Sequence, residues 1–472
     1  MGFGTIVSKI SSFLSLIVLG WFLTKEEFSI YALALSSSII FCALRNGGIQ
    51  QILTQRGERG YNLAIDMYFK YALLFNLIAM FLILAVSPLV VSLFNNDTLY
   101  YVLAIIALAL PMSTSGTLYK VGLIVKLKFS DAAKFDMYSS FLRHGSAALF
   151  CVIGFGVFSF VLPLIVVAIF EYIYGKHKTG INLIASKKIS LSKFNKIFGH
   201  AKWLILSAIF ISIALQGDYF VVGLFESGII VGLYFFGFQI VASVIAIAGQ
   251  GLQSVVLPIV SKFKNDTERQ AKAFVKMIVI LTGVVALIAV QVYLFAPYVV
   301  NILWNGKWDQ SIPVVQIMSI SLVTWLLIPL AKSVIESRGQ WKIVSFVMAF
   351  DAIGIVLAAI IGAALGGLIE IALCVSLFRL AYGCLCAVYV GSLLGVKRRH
   401  ILKIITVVML CAIIALFVAQ IVTEHFHVTS FPILASINIF IATTIYLVLL
   451  YILQKSTLIS AMRYFQSMIM AK

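Results

Sequence analysis

The chain has 472 residues, 62% of them hydrophobic and 11% charged, with a mean hydropathy of +1.09. No water-soluble core needs so much apolar material, so the composition excludes an ordinary soluble enzyme and points to a membrane-embedded protein. The formal charge of +18 does not indicate nucleic acid, because the basic residues are spread over short connections between apolar stretches.

Those stretches are each about 20 residues long, the length a helix needs to cross the hydrocarbon core. In the first part of the chain they run roughly 4–23, 28–50, 69–94, 99–117, 137–155 and 157–174. A second group runs roughly 203–225, 231–257, 277–303, 312–334, 343–363 and 367–391, followed by 402–422 and 433–453. The expected fold is therefore an all-α integral membrane protein with 14 transmembrane helices.

Every second connection is basic: Arg56 and Arg59; Lys120, Lys126, Lys128 and Lys134; Lys176 to Lys202; Lys262 to Lys276; Arg338 and Lys342; Lys397 to Lys403; and a tail with Lys455, Arg463 and Lys472. The intervening connections hold only Lys25 and Lys307, beside Glu26, Glu27, Asp97, Glu226, Asp309 and Glu424. Positive loops stay cytoplasmic, which predicts both termini inside and anionic lipid headgroups as neighbours of the basic face. The first span has no basic leader and runs directly into Thr24-Lys25-Glu26-Glu27, so it is expected to stay as a span and not to be cleaved. All six cysteines lie inside apolar spans, where they serve as small packing residues and form no disulfide framework.

The sequence repeats. Gly20, Phe22 and Tyr31 match Gly223, Phe225 and Tyr234 at an offset of 203, and Gly48-Ile49-Gln50 then meets Gly251-Leu252-Gln253 in the same register. Pro88-Leu89-Val90-Val91 matches Pro297-Tyr298-Val299-Val300 at an offset of 209, and Gly156 matches Gly366 at 210. Six spans per copy, an even number, make this a parallel repeat, the arrangement whose halves enclose a path in alternating-access transporters. The expected organisation is a six-helix lobe over 1–175, a basic cytoplasmic linker over 176–202, a second six-helix lobe over 203–393, and an additional helix pair with a tail over 394–472. The final pair has no acidic or basic residue between Ile404 and Ile421 or between Phe431 and Leu453, so it is expected to face lipid.

In the linker, Ile181, Leu183, Ile184, Ile189, Leu191, Phe194 and Ile197 suit an amphipathic helix on the inner leaflet, and a plain tether is an equal alternative. The external connections are all short, which counts against a polysaccharide polymerase that would expose a large extracytoplasmic loop.

A charge inside a span costs a few kcal/mol or more and needs a partner or a water-filled cavity, so each intramembrane charge marks a place of interest. Lys9 and Lys332 lie near span ends and can snorkel, and Lys332 has Glu336 one turn away. Asp351 and Arg379 come at similar depths in consecutive spans, consistent with a locking ion pair or with a substrate site. Arg143 and His144, with Glu171 on the next span, allow the same two readings. Arg45 precedes Asn46-Gly47-Gly48, and its counterpart in the second repeat is Ala248. A residue needed only to build the repeated helix pair would recur, so Arg45 is expected to line a cavity. Asp218 lies in the outer half of its span with no base within a turn: it either couples transport to an ion or hydrogen-bonds a neighbouring helix.

There is no phosphate-cradling glycine-lysine loop, no metal-spaced cysteine pair and no serine nucleophile elbow. His425 and His427 share an external connection and read as solvated. No cofactor, no metal and no catalytic residue are expected.

The strings Thr24-Lys25-Glu26-Glu27-Phe28-Ser29-Ile30-Tyr31-Ala32 and Leu44-Arg45-Asn46-Gly47-Gly48-Ile49-Gln50-Gln51-Ile52-Leu53-Thr54-Gln55-Arg56 resemble the opening of bacterial polysaccharide flippases, the Wzx-type polysaccharide transport proteins. Gln216-Gly217-Asp218-Tyr219-Phe220-Val221-Val222-Gly223, Gly232-Leu233-Tyr234 and Gly154-Phe155-Gly156-Val157-Phe158-Ser159-Phe160-Val161 are similar to later parts of the same family. The resemblance implies membership of the multidrug/oligosaccharidyl-lipid/polysaccharide (MOP) exporter superfamily, with two six-helix lobes around a central cavity. It implies flipping of an undecaprenyl-diphosphate-linked oligosaccharide to the periplasmic leaflet for O-antigen, capsule or exopolysaccharide synthesis. The diphosphate would then meet a cationic cavity of Arg45, Arg143, His144 and Arg379, with Asp218, Asp351 and Glu171 as candidates for ion coupling. A polysaccharide polymerase and a chain-length regulator are the implied partners, and the protein is expected to be monomeric. Many relatives carry Asp beside the glycine pair, where Asn46 stands here, so no coupling role transfers to it. The alternatives are a multidrug or cation antiporter of the same superfamily, a major-facilitator transporter, whose motif Thr54-Gln55-Arg56-Gly57-Glu58-Arg59-Gly60 does not fit, and a membrane polysaccharide polymerase.

Overall fold

A computed structural model describes residues 2–45, 49–183, 191–263, 266–425 and 431–470. The described residues form sixteen α-helices and no strand. In chain order these are α1 (Gly2–Phe22), α2 (Lys25–Cys42), α3 (Ile49–Phe94), α4 (Thr98–Met112), α5 (Thr114–Val125), α6 (Phe129–Ile153), α7 (Leu162–Thr179) and α8 (Leu191–Phe225). They continue as α9 (Gly228–Lys262), α10 (Thr267–Trp304), α11 (Ile312–Trp325), α12 (Leu327–Ser337), α13 (Trp341–Leu365), α14 (Leu368–Leu393), α15 (Arg398–His425) and α16 (Phe431–Met470). With α4–α5 and α11–α12 each counted as one broken segment, they match the fourteen apolar segments of the sequence one for one.

Ten of these helical stretches are long and apolar enough to cross a membrane, or eleven if α4 and α5, bent by 41°, form one span. Of the remainder, the described apolar part of α1 is short, α2 opens on Lys25-Glu26-Glu27, and α6 carries Asp136, Arg143 and His144. Large apolar side chains face outward along the chain, with Phe350 and Phe440 70% and 73% exposed, which only a lipid solvent tolerates on this scale. The protein is a multi-pass membrane protein.

Local chemistry sets the boundaries. Thr24 and Glu27 exchange bonds in a capping box that starts α2 (3.2 and 2.8 Å). Asp266 accepts from the Arg269 amide (3.0 Å) at the start of α10. Gly57, at φ +67°, kinks α3 where a side chain would be strained. Lys176, His177 and Lys178 occupy the last turn of α7, where cations complement the helix dipole.

The repeat reappears in the element boundaries. α1 and α8 end at Phe22 and Phe225, and α2 and α9 begin at Lys25 and Gly228, both at the offset of 203. The fourth segment of each copy is broken, at Ser113 in the first and at Leu326 in the second.

The chain forms two compact units: residues 1–235 with 348–356, and 236–347 with 357–472. In the first unit the C-terminal end of α8 and the N-terminal end of α9 pack closely on α2. A Cβ at Gly232 would lie 2.8 Å from the Lys25 carbonyl carbon, and one at Gly223 would collide with Leu33. At the opposite end of α3, Ile49, Leu53, Tyr61, Tyr68 and Tyr71 form a core with Leu118 and Val121 of α5. Ile181 and Leu183 pack on that core, so the start of the expected linker is docked. Its continuation from Leu191 is already part of α8, and 184–190 lie outside the described residues.

In the second unit the additional helix pair docks on α10. Tyr446 donates to the Gly283 carbonyl (2.7 Å) and Gln291 to Thr443 (2.8 Å). Ile413, Phe417 and Phe440 remain exposed, so the pair both braces the unit and presents an apolar surface.

Candidate functional site

The first unit gathers charge from four helices. Arg45 follows the end of α2, Arg143 and His144 lie in α6, and Glu171 lies in α7. Arg45 lies within electrostatic reach of both Glu171 and Arg143. Arg45 and Arg143 are exposed, and His144 and Glu171 are half-buried. The structure thus brings together three sequence-predicted groups and places His144 beside them.

Three more residues join the cluster that the sequence reading left as structural or did not single out. Lys9 of α1 lies within reach of His144, and the neighbouring Ser8 hydroxyl is hydrogen-bonded to Ser140 of α6, which fixes α1 against that face. The Tyr31 hydroxyl reaches the Arg143 guanidinium. The Ser139 hydroxyl lies beside the Glu171 carboxylate. A signal for Tyr31 was present, because it is one of the repeat-matched positions: its counterpart Tyr234 donates to Asp218 (2.9 Å). The same tyrosine therefore serves a cation in one copy and a carboxylate in the other.

Glu171 is held by shape as well as charge. It packs where α4 breaks into α5, against Gly116, and a Cβ there would lie 2.6 Å from the Glu171 Cβ. Asn76 of α3 donates to Thr114 at the same break (2.6 Å). A broken helix leaves backbone groups that polar side chains can serve, which explains why charge is tolerated here. Lys120 is paired with Asp136 on this side (2.6 Å), leaving Lys9, Arg45 and Arg143 against the single carboxylate of Glu171. The cluster is net positive.

The other expected site residues are differently placed. Asp218 is fully buried, accepting from the Tyr219 amide (3.1 Å) as well as from Tyr234, so of its two readings the interhelical hydrogen bond is present. Arg379, in the second unit, is 2% exposed, with its guanidinium 4.1 Å from the centre of the Trp325 ring and 4.9 Å from that of Phe238. Asp351 is 7% exposed in α13 and belongs to the first unit. Lys332 pairs with Glu336 (3.5 Å) as its spacing suggests. Asn46, Gly47, Gly48 and His427 lie outside the described residues. Among the described residues no group of three or more His, Cys, Asp or Glu side chains is arranged to hold a metal.

This fold is that of MOP-superfamily transporters. The chain superposes on a lipid II flippase MurJ in an inward closed conformation with a TM-score of 0.74, at 14% identity, over 96% of this chain and 98% of that one. It also matches an inward-facing multidrug resistance MATE family transporter, with a TM-score of 0.64, 14% identity, and 84% and 95% coverage. A MOP superfamily transporter from Pyrococcus furiosus, described as having a binding pocket of reverse polarity, matches with a TM-score of 0.59 at 16% identity, over 84% of this chain and 94% of that one.

Residues 18–313 match the family described as "Polysaccharide biosynthesis protein", and the chain belongs to that family. No curated protein sequence matches it.

Proposed function

We propose that the protein is a flippase that moves an undecaprenyl-diphosphate-linked oligosaccharide from the cytoplasmic to the periplasmic leaflet of the bacterial inner membrane, supplying surface polysaccharide synthesis. The observation that carries this reading is the exposed, net-positive cluster of Arg45 and Arg143 around Glu171 in a chain of the polysaccharide biosynthesis family. A diphosphate diester carries two negative charges, and arginine's planar fork suits its oxygens. Lys9, Arg45 and Arg143 against Glu171 leave two positive charges to meet them.

In the orientation that the basic connections imply, both termini and the Arg45 end of α2 lie on the cytoplasmic side. The other end of α2 is packed by α8 and α9, so the cluster faces the leaflet that donates the substrate while the opposite end is closed. Alternating access would open that contact and carry the diphosphate across, with 1–175 and 203–393 as the two lobes. Glu171, within reach of Arg45, is the first choice for ion coupling, and Asp218 and Asp351 are the second. A polysaccharide polymerase and a chain-length regulator would receive the product.

Glu171 also favours a second reading, a cation or multidrug antiporter, because carboxylates attract cationic drugs. Deleting the gene and measuring surface glycan and drug sensitivity separates the two. Lost glycan with unchanged drug resistance supports the flippase. Normal glycan with increased drug sensitivity supports the antiporter.

A further inference from the structure

The second unit holds a cavity of about 600 Å³ that the proposed transport does not use. Its walls come from the first turns of α10, the connection between α14 and α15, and the final part of α16. Lys272, Lys276, His400 and Ser460 supply polar groups, and Val275, Val279 and Leu394 supply apolar ones.

Polarity changes along α10. Glu268, Lys272 and Lys276 follow one another at four-residue intervals, so they share a face within about three turns, and Val275 and Val279 extend that face deeper. Across the opening, Lys397, Arg398 and Arg399 are exposed just before His400. Glu268 pairs with Lys272 (2.5 Å), but both side chains are largely exposed, so the pair is weak and does not cancel the basic rim. A site with cations at its mouth and aliphatic side chains below suits an amphiphile with an anionic head. Its volume falls in the usual range for small-molecule sites and far exceeds an inorganic phosphate.

We infer that this cavity binds an anionic phospholipid of the cytoplasmic leaflet, with the phosphodiester between Lys272, Lys276 and His400 and the first carbons of the acyl chains against Val275, Val279 and Leu394. The placement of the headgroup level rests on the orientation proposed above, but the binding chemistry does not depend on what the protein transports. Because α10, α15 and α16 pack together below the site, a lipid there ties the additional helix pair to the second unit.

The test uses the full-length protein, delipidated in neutral detergent and titrated separately with phosphatidylglycerol, phosphatidylcholine and inorganic phosphate. Native mass spectrometry reads the bound ligand and thermal unfolding reads its effect. Phosphatidylglycerol should remain bound and raise the unfolding temperature, whereas phosphatidylcholine and phosphate should do neither. Lys272→Gln and Lys276→Gln should each weaken phosphatidylglycerol about fivefold, the contribution of one lysine near an anionic surface. Arg replacements should restore binding, and Lys126→Gln with Lys128→Gln, basic residues of a different connection, should leave it unchanged. Equal retention of phosphatidylcholine, an equal shift from phosphate alone, or a double glutamine variant that binds as tightly as the native protein would each overturn the inference. If the glutamine variants do not fold, the lipid selectivity of the native protein and the arginine variants still decide. An Arg45→Ala variant should keep this site even if it loses transport.

Discussion

Glu171 and Arg379 lie 208 residues apart, within the drift of the repeat, on the sixth helical segment of each copy, and each packs where the fourth segment is broken. Their surroundings differ. Glu171 is half-buried among cations, two of them exposed, whereas Arg379 is closed in by Trp325 and Phe238 and the Thr324 hydroxyl donates to its backbone carbonyl (3.3 Å). A charge enclosed by aromatic faces has been given a structural environment, and a charge among accessible opposite and like charges is available to a ligand. In the function proposed above, the duplicated scaffold carries one polar break that is enclosed by aromatic rings and one whose exposed arginines would meet the anion. The difference teaches that the broken fourth segment is the shared device, and its local charge decides its use.

The largest effect that tests this contrast is functional. Arg45→Ala with Arg143→Ala should lower surface glycan export by about 10- to 100-fold while the protein remains folded, because charge-assisted bonds to a diphosphate are among the strongest available. The assay is glycan display in a strain lacking the native gene. Next, Gly116→Ala should destabilise the first unit by about 1–3 kcal/mol, since the added methyl overlaps Glu171 in a packed site. Thermal unfolding in detergent measures it, and an unchanged melting temperature would mean that Glu171 is not held at the break.

Tyr234→Phe should cost about 1–3 kcal/mol by removing a donor from the buried Asp218 carboxylate, again read by unfolding. Trp325→Leu should cost less in specific terms, about 1–2 kcal/mol of lost cation–π attraction to Arg379, and should alter stability without altering which glycan is exported. The smallest change belongs to Lys332→Gln. Its pair with Glu336 joins partly exposed groups, so the effect should stay within about 0.5 kcal/mol in the same measurement.

The order of the fourteen segments and the parallel repeat were legible because apolar length and loop charge are properties of local sequence. The repeat offset even placed the α1–α2 and α8–α9 corners at the same register. Arg45, Arg143 and Glu171 were legible as intramembrane charges, and each stood out because such charges are costly. What could not be read was which of them share a site. Lys9 looked like a snorkelling lysine, and its approach to His144 depends on how α1 packs against α6. Arg379 read as an ion-pair partner of Asp351 or as a substrate ligand, and the two rings that enclose it could not be foreseen because they come from α9 and α11, far away in sequence. The helix breaks at Ser113 and Leu326 did have a local signal that the sequence reading did not use: Pro111 stands in the last turn of α4 and Pro329 in the first turn of α12, and a proline has no N–H to continue the helix ladder.

The central claim is that the accessible cluster of the first unit, and not the enclosed arginine of the second, receives the diphosphate. Binding of undecaprenyl diphosphate to the purified protein in detergent tests it most directly, with Arg45→Ala/Arg143→Ala compared with Arg379→Met. The account predicts that the double variant loses at least about tenfold in affinity, the worth of a charge-assisted bond, while folded Arg379→Met binds like the native protein. Native-like affinity in the double variant, or loss confined to Arg379→Met, would contradict it.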